Sequence, residues 1–142
     1  MINKIEVTID IIIHATEDIS KIFKAFEEVL DLKEEEFSIQ ETTGYFDNPI
    51  TILNIKMVKK QSQKFVKKLL ESLSINQINE LIEEIEERTV DSRFHMRLGK
   101  QELIKGDLVI REKDTIKIKI HTPIYNKKET VRIFSEIFQI VN

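Results

Sequence analysis

The residues best placed to do chemistry lie in one stretch, Ser92-Arg93-Phe94-His95-Met96-Arg97-Leu98-Gly99-Lys100-Gln101-Glu102-Leu103-Ile104-Lys105-Gly106. Phe94, Met96 and Leu98 alternate with Arg93, His95 and Arg97. Side chains on a strand point to opposite faces in turn, so the spacing predicts a half-buried strand. Its polar row carries two guanidiniums flanking an imidazole. Gly99 ends the strand, and Lys100 and Gln101 follow at the turn, where they are expected to be exposed. Guanidinium, ammonium and amide donors at a strand end are suited to phosphate. No nucleophile has a base beside it, so the stretch reads as an anion-binding face. Two further groups of cations accompany it. Lys117 and Lys119 alternate with Ile116, Ile118 and Ile120, and Lys56, Lys59, Lys60, Lys64, Lys67 and Lys68 form a run with no acid among them.

Catalysis finds little support. The chain has no Cys, hence no thiolate nucleophile or thiolate metal site. Its glycines, Gly44, Gly99 and Gly106, are too scattered for a phosphate-binding glycine-rich loop. Asp10 has the chemistry of an acid or base, but an ion pair to Arg97 or Lys119 accounts for it as simply. A metal site built from the three histidines with Asp10 is disfavoured, because no two histidines have ligand spacing. No catalytic residue, metal or cofactor is therefore assigned.

These groups need a scaffold. Ile5, Val7, Ile9, Ile11 and Ile13 mark a first strand, and Ile11-Ile12-Ile13, apolar on both faces, suits a central one. Thr16 reads as a helix N-cap with Glu17 and Asp18 in the first turn. The helix buries Ile19, Ile22, Phe23, Phe26, Val29 and Leu30 and ends near Leu32. Phe37 to Thr42 and Ile50 to Val58 form a hairpin around a loop from Gly44 to Pro49. A helix from Gln63 to Leu73 follows, and Ser74 with Gln77 forms a capping box that restarts a helix through Ile85. The acids Glu80, Glu83, Glu84, Glu86 and Glu87 read as its solvent face. After the strand at 93–98 come a short helical turn near Leu103, a strand over Ile116–His121, a capping box at Asn126 and Glu129, and a last helix lined by Val131, Phe134, Ile137, Phe138 and Val141. The order βαββ, two helices, β, turn, β, α predicts an α+β fold. Its antiparallel or mixed sheet has about five strands, with helices on one face.

With 142 residues and 41% hydrophobic content, one domain spanning 1–142 with its own core is expected. The N-terminus lacks the basic region of a signal peptide, and the first apolar run is broken by Glu6, Thr8 and Asp10; a cytoplasmic protein without a membrane partner is expected. The net charge of −3 argues against a purely electrostatic nucleic-acid binder. Yet residues 1–87 hold 10 Lys+Arg against 18 Asp+Glu, and residues 88–142 hold 12 against 7. This asymmetry suggests one acidic and one basic surface.

With the apolar rows turned inward, the open sheet face holds Thr8, Asp10, His14, Ser38, Gln40, Thr42, Asn54, Lys56, Arg93, His95, Arg97, Lys117, Lys119 and His121. The residues alone leave two readings open. One is a solvated face, or one paired in a homodimer. The other is an RNA platform of cations and polar groups, without the stacking aromatics of an RNA-recognition-motif sheet.

Three motifs in register add to this. His14-Ala15-Thr16-Glu17, Gly44-Tyr45-Phe46-Asp47-Asn48-Pro49-Ile50, and Phe94-His95-Met96-Arg97-Leu98-Gly99-Lys100-Gln101 with Gly106 together resemble an archaeal RNA-binding family associated with the exosome. The likeness covers nearly the whole chain. It implies a fold similar to double-stranded-RNA-binding domains and to the large-subunit ribosomal protein that binds 5S RNA, and it implies RNA binding without catalysis. The family's RLDKQ-like motif falls on Arg97 to Gln101, its HATE-like motif on His14 to Glu17, and its GNP-like turn on Asp47 to Pro49. Gly99 stands where the family usually has Asp, Asp47 where it has Gly, and Leu103 and Ile104 near where an aromatic precedes Gly106.

The expected RNA-binding residues are Arg93, His95, Arg97, Lys100, Gln101, Lys117, Lys119, Lys59, Lys60, Lys64, His14 and Asn48. The partner would be structured or double-stranded RNA, with exosome or ribosome components as associates, and the protein a monomer or homodimer. The alternative is an interaction subunit that docks on a larger assembly through the open sheet face.

Overall fold

The structure is a computed structural model and describes residues 4–139. Its strands are β1 (Glu6–His14), β2 (Ser38–Thr43), β3 (Pro49–Met57), β4 (Thr89–Val90), β5 (Arg93–Gly99) and β6 (Thr115–His121). Its helices are α1 (Ile19–Leu30), α2 (Lys59–Ser72), α3 (Ile75–Glu83), α4 (Ile85–Arg88), α5 (Lys100–Ile104) and α6 (Thr130–Phe138). The strands form one antiparallel sheet in the order β2-β3-β1-β6-β5-β4. No helix among the described residues is long and apolar enough to cross a membrane.

The α+β class is as expected, and so are the inward apolar rows of β1, β5 and β6; on the edge strand β2 Ile39 is exposed, not inward, and only Phe37 before it is buried. Val7, Ile9, Ile11 and Ile13 are buried on β1, as are Phe94, Met96 and Leu98 on β5 and Ile116, Ile118 and Ile120 on β6. The sheet has six strands, not about five. The sixth, β4, has only two residues, too few for any periodicity to register. It pairs Thr89 with Phe94 and Val90 with Arg93 across a tight turn. The turn residues Asp91 and Ser92 have φ of 51° and 65°, the left-handed pair such a hairpin needs, reached here without glycine.

Helix starts also differ from the expectation. Asp18, not Thr16, caps α1, its carboxylate accepting from the Ser20 N–H at 3.0 Å. Thr16 and Glu17 instead form the turn that leaves β1. Helix α2 begins at Lys59, four residues before the expected Gln63. Val58 gives it no side-chain cap, and lysines at its start oppose the helix dipole, so no local signal marks that boundary. Tertiary contact supplies the reason: Ser62 is fully buried, and its Oγ lies 2.6 Å from the Ile5 carbonyl oxygen. The capping box on α3 is present, with Ser74 Oγ accepting from Gln77 N–H and Gln77 Oε1 from Ser74 N–H. The expected long helix divides at Glu84, leaving Ile85 buried on α4. At Asn126 the side chain accepts from Lys128 N–H and caps a short 3-10 turn before α6; Glu129 instead holds Arg132. Val141 lies outside the described residues.

The chain divides into two compact units. One draws on residues 4–7, 57–96 and 119–139, the other on 8–56 and 97–118. In the first, the rings of Phe94 and Phe138 meet edge to face at 4.7 Å, with Phe134 completing the cluster. In the second, Phe37 meets Phe26 and Phe23 edge to face at 5.1 and 5.7 Å. Such pairs add to the burial of large apolar rings and anchor each core. Also in the second unit, the β2–β3 register pairs Ser38 with Asn54 and Gln40 with Ile52, so the polar row of β2 shares a face with Asn54. Gly44 opens that hairpin loop, where a Cβ would run into the Ile50 side chain.

Candidate functional site

The second unit brings the ends of β1, β5 and β6 together, and with them two of the three sequence motifs. Lys100 follows the last residue of β5. It is 1% exposed, and its ammonium donates to Ile12 O at 2.7 Å, Glu17 Oε1 at 2.8 Å and Asp114 Oδ1 at 3.0 Å. An ammonium has three donors, and all three are used. This corrects the expectation that Lys100 is an exposed phosphate ligand. Gln101 is exposed, but its amide is engaged too, donating to Glu17 Oε2 at 3.0 Å and Asp114 Oδ2 at 3.4 Å. Glu17 also accepts from the His14 N–H at 2.8 Å, while its own N–H donates to His14 O at 2.9 Å. The HATE-like and RLDKQ-like motifs thus meet as a brace around a buried lysine.

Partial burial works against ionisation of Glu17. The His14 N–H bond and then the hydrogen bond and charge of Lys100 outweigh it and hold the carboxyl below its ordinary pKa. Burial opposes ionisation of Asp114 as well, and Lys100 again prevails, with help from Gln101. A carboxyl whose pKa is lowered on folding stabilises the fold above its unfolded value and loses that contribution as pH falls through its folded value. The loss therefore begins near pH 4, roughly the unfolded carboxyl pKa, and deepens below it. Urea unfolding between pH 6 and 3 is expected to show a smaller decline for Glu17→Gln than for the unaltered chain. Parallel declines would remove the brace from acid sensitivity.

Beside the brace, the outward face carries a depression of ≈ 420 Å³ lined by Ile12, Ile52, Arg97, Lys117, His14 and the brace residues Lys100 and Asp114. Arg97 is half-buried, and its Nη1 makes one long contact, 3.5 Å, to Glu112 O. Lys117 is exposed, and neither cation takes part in an ion pair among the described residues. Three acids line the depression, Asp10, Glu112 and Asp114; Glu112 is exposed, and the other two are engaged. Asp114 holds Lys100, and Asp10 accepts from Asn54 Nδ2 at 2.6 Å rather than pairing with Arg97 or Lys119. His14, Glu17 and Asp114 place possible ligand atoms within 4.8 Å of one another, but the Lys100 ammonium already pairs with both carboxylates.

The other expected residues fall elsewhere. Asn48 closes the β2–β3 loop, its carbonyl accepting from Gly44 N–H at 2.8 Å. Arg93, His95, Lys119 and the exposed Lys59, Lys60 and Lys64 belong to the first unit. There Arg93 donates to Asp91 O at 3.2 Å. Three features escaped the sequence reading. Asp114 gave no local signal; only a buried lysine calls for a second carboxylate. Ile52 joins Ile12, whose outward place the apolar Ile11-Ile12-Ile13 run already marked, as apolar ground within a polar row. Exposed aromatics exist, but on loops: Tyr45 is 90%, Phe46 94% and Tyr125 96% exposed. At Gly99, where the resembled family has Asp, a Cβ would run into the Glu102 carboxylate, which pairs with Arg111.

An antiparallel sheet in an α+β fold that presents unpaired cations on its outward face can hold an anion. The family model described as RNA binding matches residues 6–122, and the chain belongs to that family. It is 34% identical over 127 residues to the RNA-binding protein PAB1135 of Pyrococcus abyssi, an alignment covering 84% of this chain and 82% of that one. It is 33% identical over 143 residues to the uncharacterized protein MJ0213 of Methanocaldococcus jannaschii, covering 93% and 94%. Among solved structures, SSO0741 of Sulfolobus solfataricus superposes with a TM-score of 0.74 at 28% identity, covering 96% of this chain and 97% of its own. AF2318 of Archaeglobus fulgidus, with a TM-score of 0.80 at 24% identity over 94% and 99%, shares the fold.

Proposed function

We propose that the protein is a non-catalytic RNA-binding protein that takes the phosphates of structured or double-stranded RNA on the outward face of its sheet. One observation carries the reading: Arg97 and Lys117 face a common depression with no carboxylate paired to either. An unpaired guanidinium and ammonium give up little to meet a phosphate, and the guanidinium can do so bidentately. His14 reaches the same depression and is placed to meet a ribose or base. Lys100 and Gln101 act indirectly, by neutralising Glu17 and Asp114 so that two carboxylates do not repel the phosphate. Arg93, His95, Lys119 and the α2 lysines extend the set of backbone contacts. Recognition at this face depends on shape and charge, since its outward rows lack aromatics.

The whole chain acts as one domain in this reading, as a monomer or homodimer in the cytoplasm, in RNA processing alongside exosome or ribosome components. A second reading, an interaction subunit, draws on β2, an edge strand whose six residues are all exposed.

The test is binding of the nuclease-treated protein to a perfect RNA duplex across a salt titration. A log–log slope of about −2 or steeper is expected, the signature of at least two released counterions. Absence of binding at low salt would overturn the proposal and favour the interaction subunit.

A further inference from the structure

The first unit contains a cleft of ≈ 850 Å³ between the Asp91–Ser92 turn and the segment entering α6. Tyr125, 96% exposed, lines it, flanked by Lys127 and Lys128, both exposed and outside every ion pair among the described residues. Val90 and Val131, 58% and 39% exposed, add apolar wall. The cleft has acids as well, Glu86 and Asp91.

We propose that this cleft is a subsite for an unpaired ribonucleotide of a single-stranded segment, with Tyr125 stacking on the base and Lys127 and Lys128 meeting the flanking phosphates. The combination of groups points to that ligand. An exposed aromatic ring with an aliphatic wall suits a planar base, which buries both faces at little cost to its polar edge. Two unpaired lysines two and three residues beyond the tyrosine give the charge that a nucleotide backbone requires. Glu86 and Asp91 would repel a bare phosphate, but each can accept from an exocyclic amine or a ribose 2′-hydroxyl, groups that only a nucleotide places beside its phosphates. By contrast, the other exposed aromatic pair, Tyr45 and Phe46, is followed by Asp47 and has no cation beside it in sequence. The turn at Asp91–Ser92 holds two non-glycine residues in left-handed conformation, which fixes the backbone on one side of the cleft.

The subsite deepens the RNA-binding proposal and rests on it for the class of ligand. It differs in form of RNA, because a stacked base must be out of a duplex. The chain has no Trp and two Tyr, so Tyr45→Phe leaves Tyr125 as its sole strong emitter. That variant should lose tyrosine emission on titration with a hexamer of riboadenylates. Tyr125→Ala should weaken hexamer binding about tenfold and leave duplex affinity unchanged. Tyr125→Phe should restore most of it, because the ring and not the hydroxyl stacks. Lys127→Ala with Lys128→Ala should reduce the salt slope of hexamer binding by about 1.4 units, from ~0.7 per phosphate contact on a single strand. Unquenched emission, or equal hexamer affinity for Tyr125→Ala and the unaltered chain, would overturn the subsite. If duplex binding persists in that case, the sheet-face proposal stands alone. If instead the duplex is not bound but the hexamer is, in a Tyr125-dependent way, the sheet face fails and the subsite stands.

Discussion

Lys100→Met is expected to lower the unfolding free energy by about 3 kcal/mol, the cost of breaking a buried pair from one side. The methionine fills similar space, so the effect is electrostatic and not a cavity. Removal of the ammonium leaves Ile12 O without its side-chain donor and sets Glu17 against Asp114 with no cation between them. Asp114 is 48% exposed and can turn to water, which keeps the cost from reaching the upper end of the range. Urea unfolding at pH 7 measures it, and the double variant Lys100→Met with Glu17→Gln should recover part of the loss. A midpoint unchanged by Lys100→Met would show that the brace contributes nothing to stability. RNA affinity should fall as well, but through the unshielded carboxylates, so 0.5 M salt should narrow the difference from the unaltered chain.

Arg97→Ala with Lys117→Ala is expected to reduce duplex RNA affinity on the order of 50-fold at 0.1 M salt and to flatten the log–log slope by about two units. The figure follows from about 0.9 of a counterion per phosphate contact, taken over two contacts and the decade of salt below 1 M. Neither side chain makes an ion pair among the described residues, and Lys117 is exposed, so the fold should survive and unfolding midpoints should stay nearly constant. Equal slopes for variant and unaltered protein would place the phosphate contacts elsewhere. The lysines of α2 would then be the next set to remove.

Much of this was legible in local sequence. Period-two alternation located β1, β5 and β6 and oriented their rows correctly, because one buried face forces every second residue to be apolar. The Ser74–Gln77 box located α3, since reciprocal capping needs only four consecutive residues. The cations of the outward face followed from the same alternation. What local sequence could not supply is the fate of each charge. Lys100 and Arg97 read alike as cations at a strand end. Whether a cation is solvated or buried depends on which carboxylates arrive from distant segments, and Glu17 and Asp114 arrive 83 residues before and 14 residues after Lys100. The start of α2 was likewise decided by the burial of Ser62, bonded to the Ile5 carbonyl just before β1, over an unfavourable, lysine-rich first turn. The strand β4 exists only because a glycine-free turn folds two residues back on β5. Local spacing thus determined the elements and their faces, while the pairing of charges, and with it the line between brace and candidate binding residues, came only with the tertiary structure.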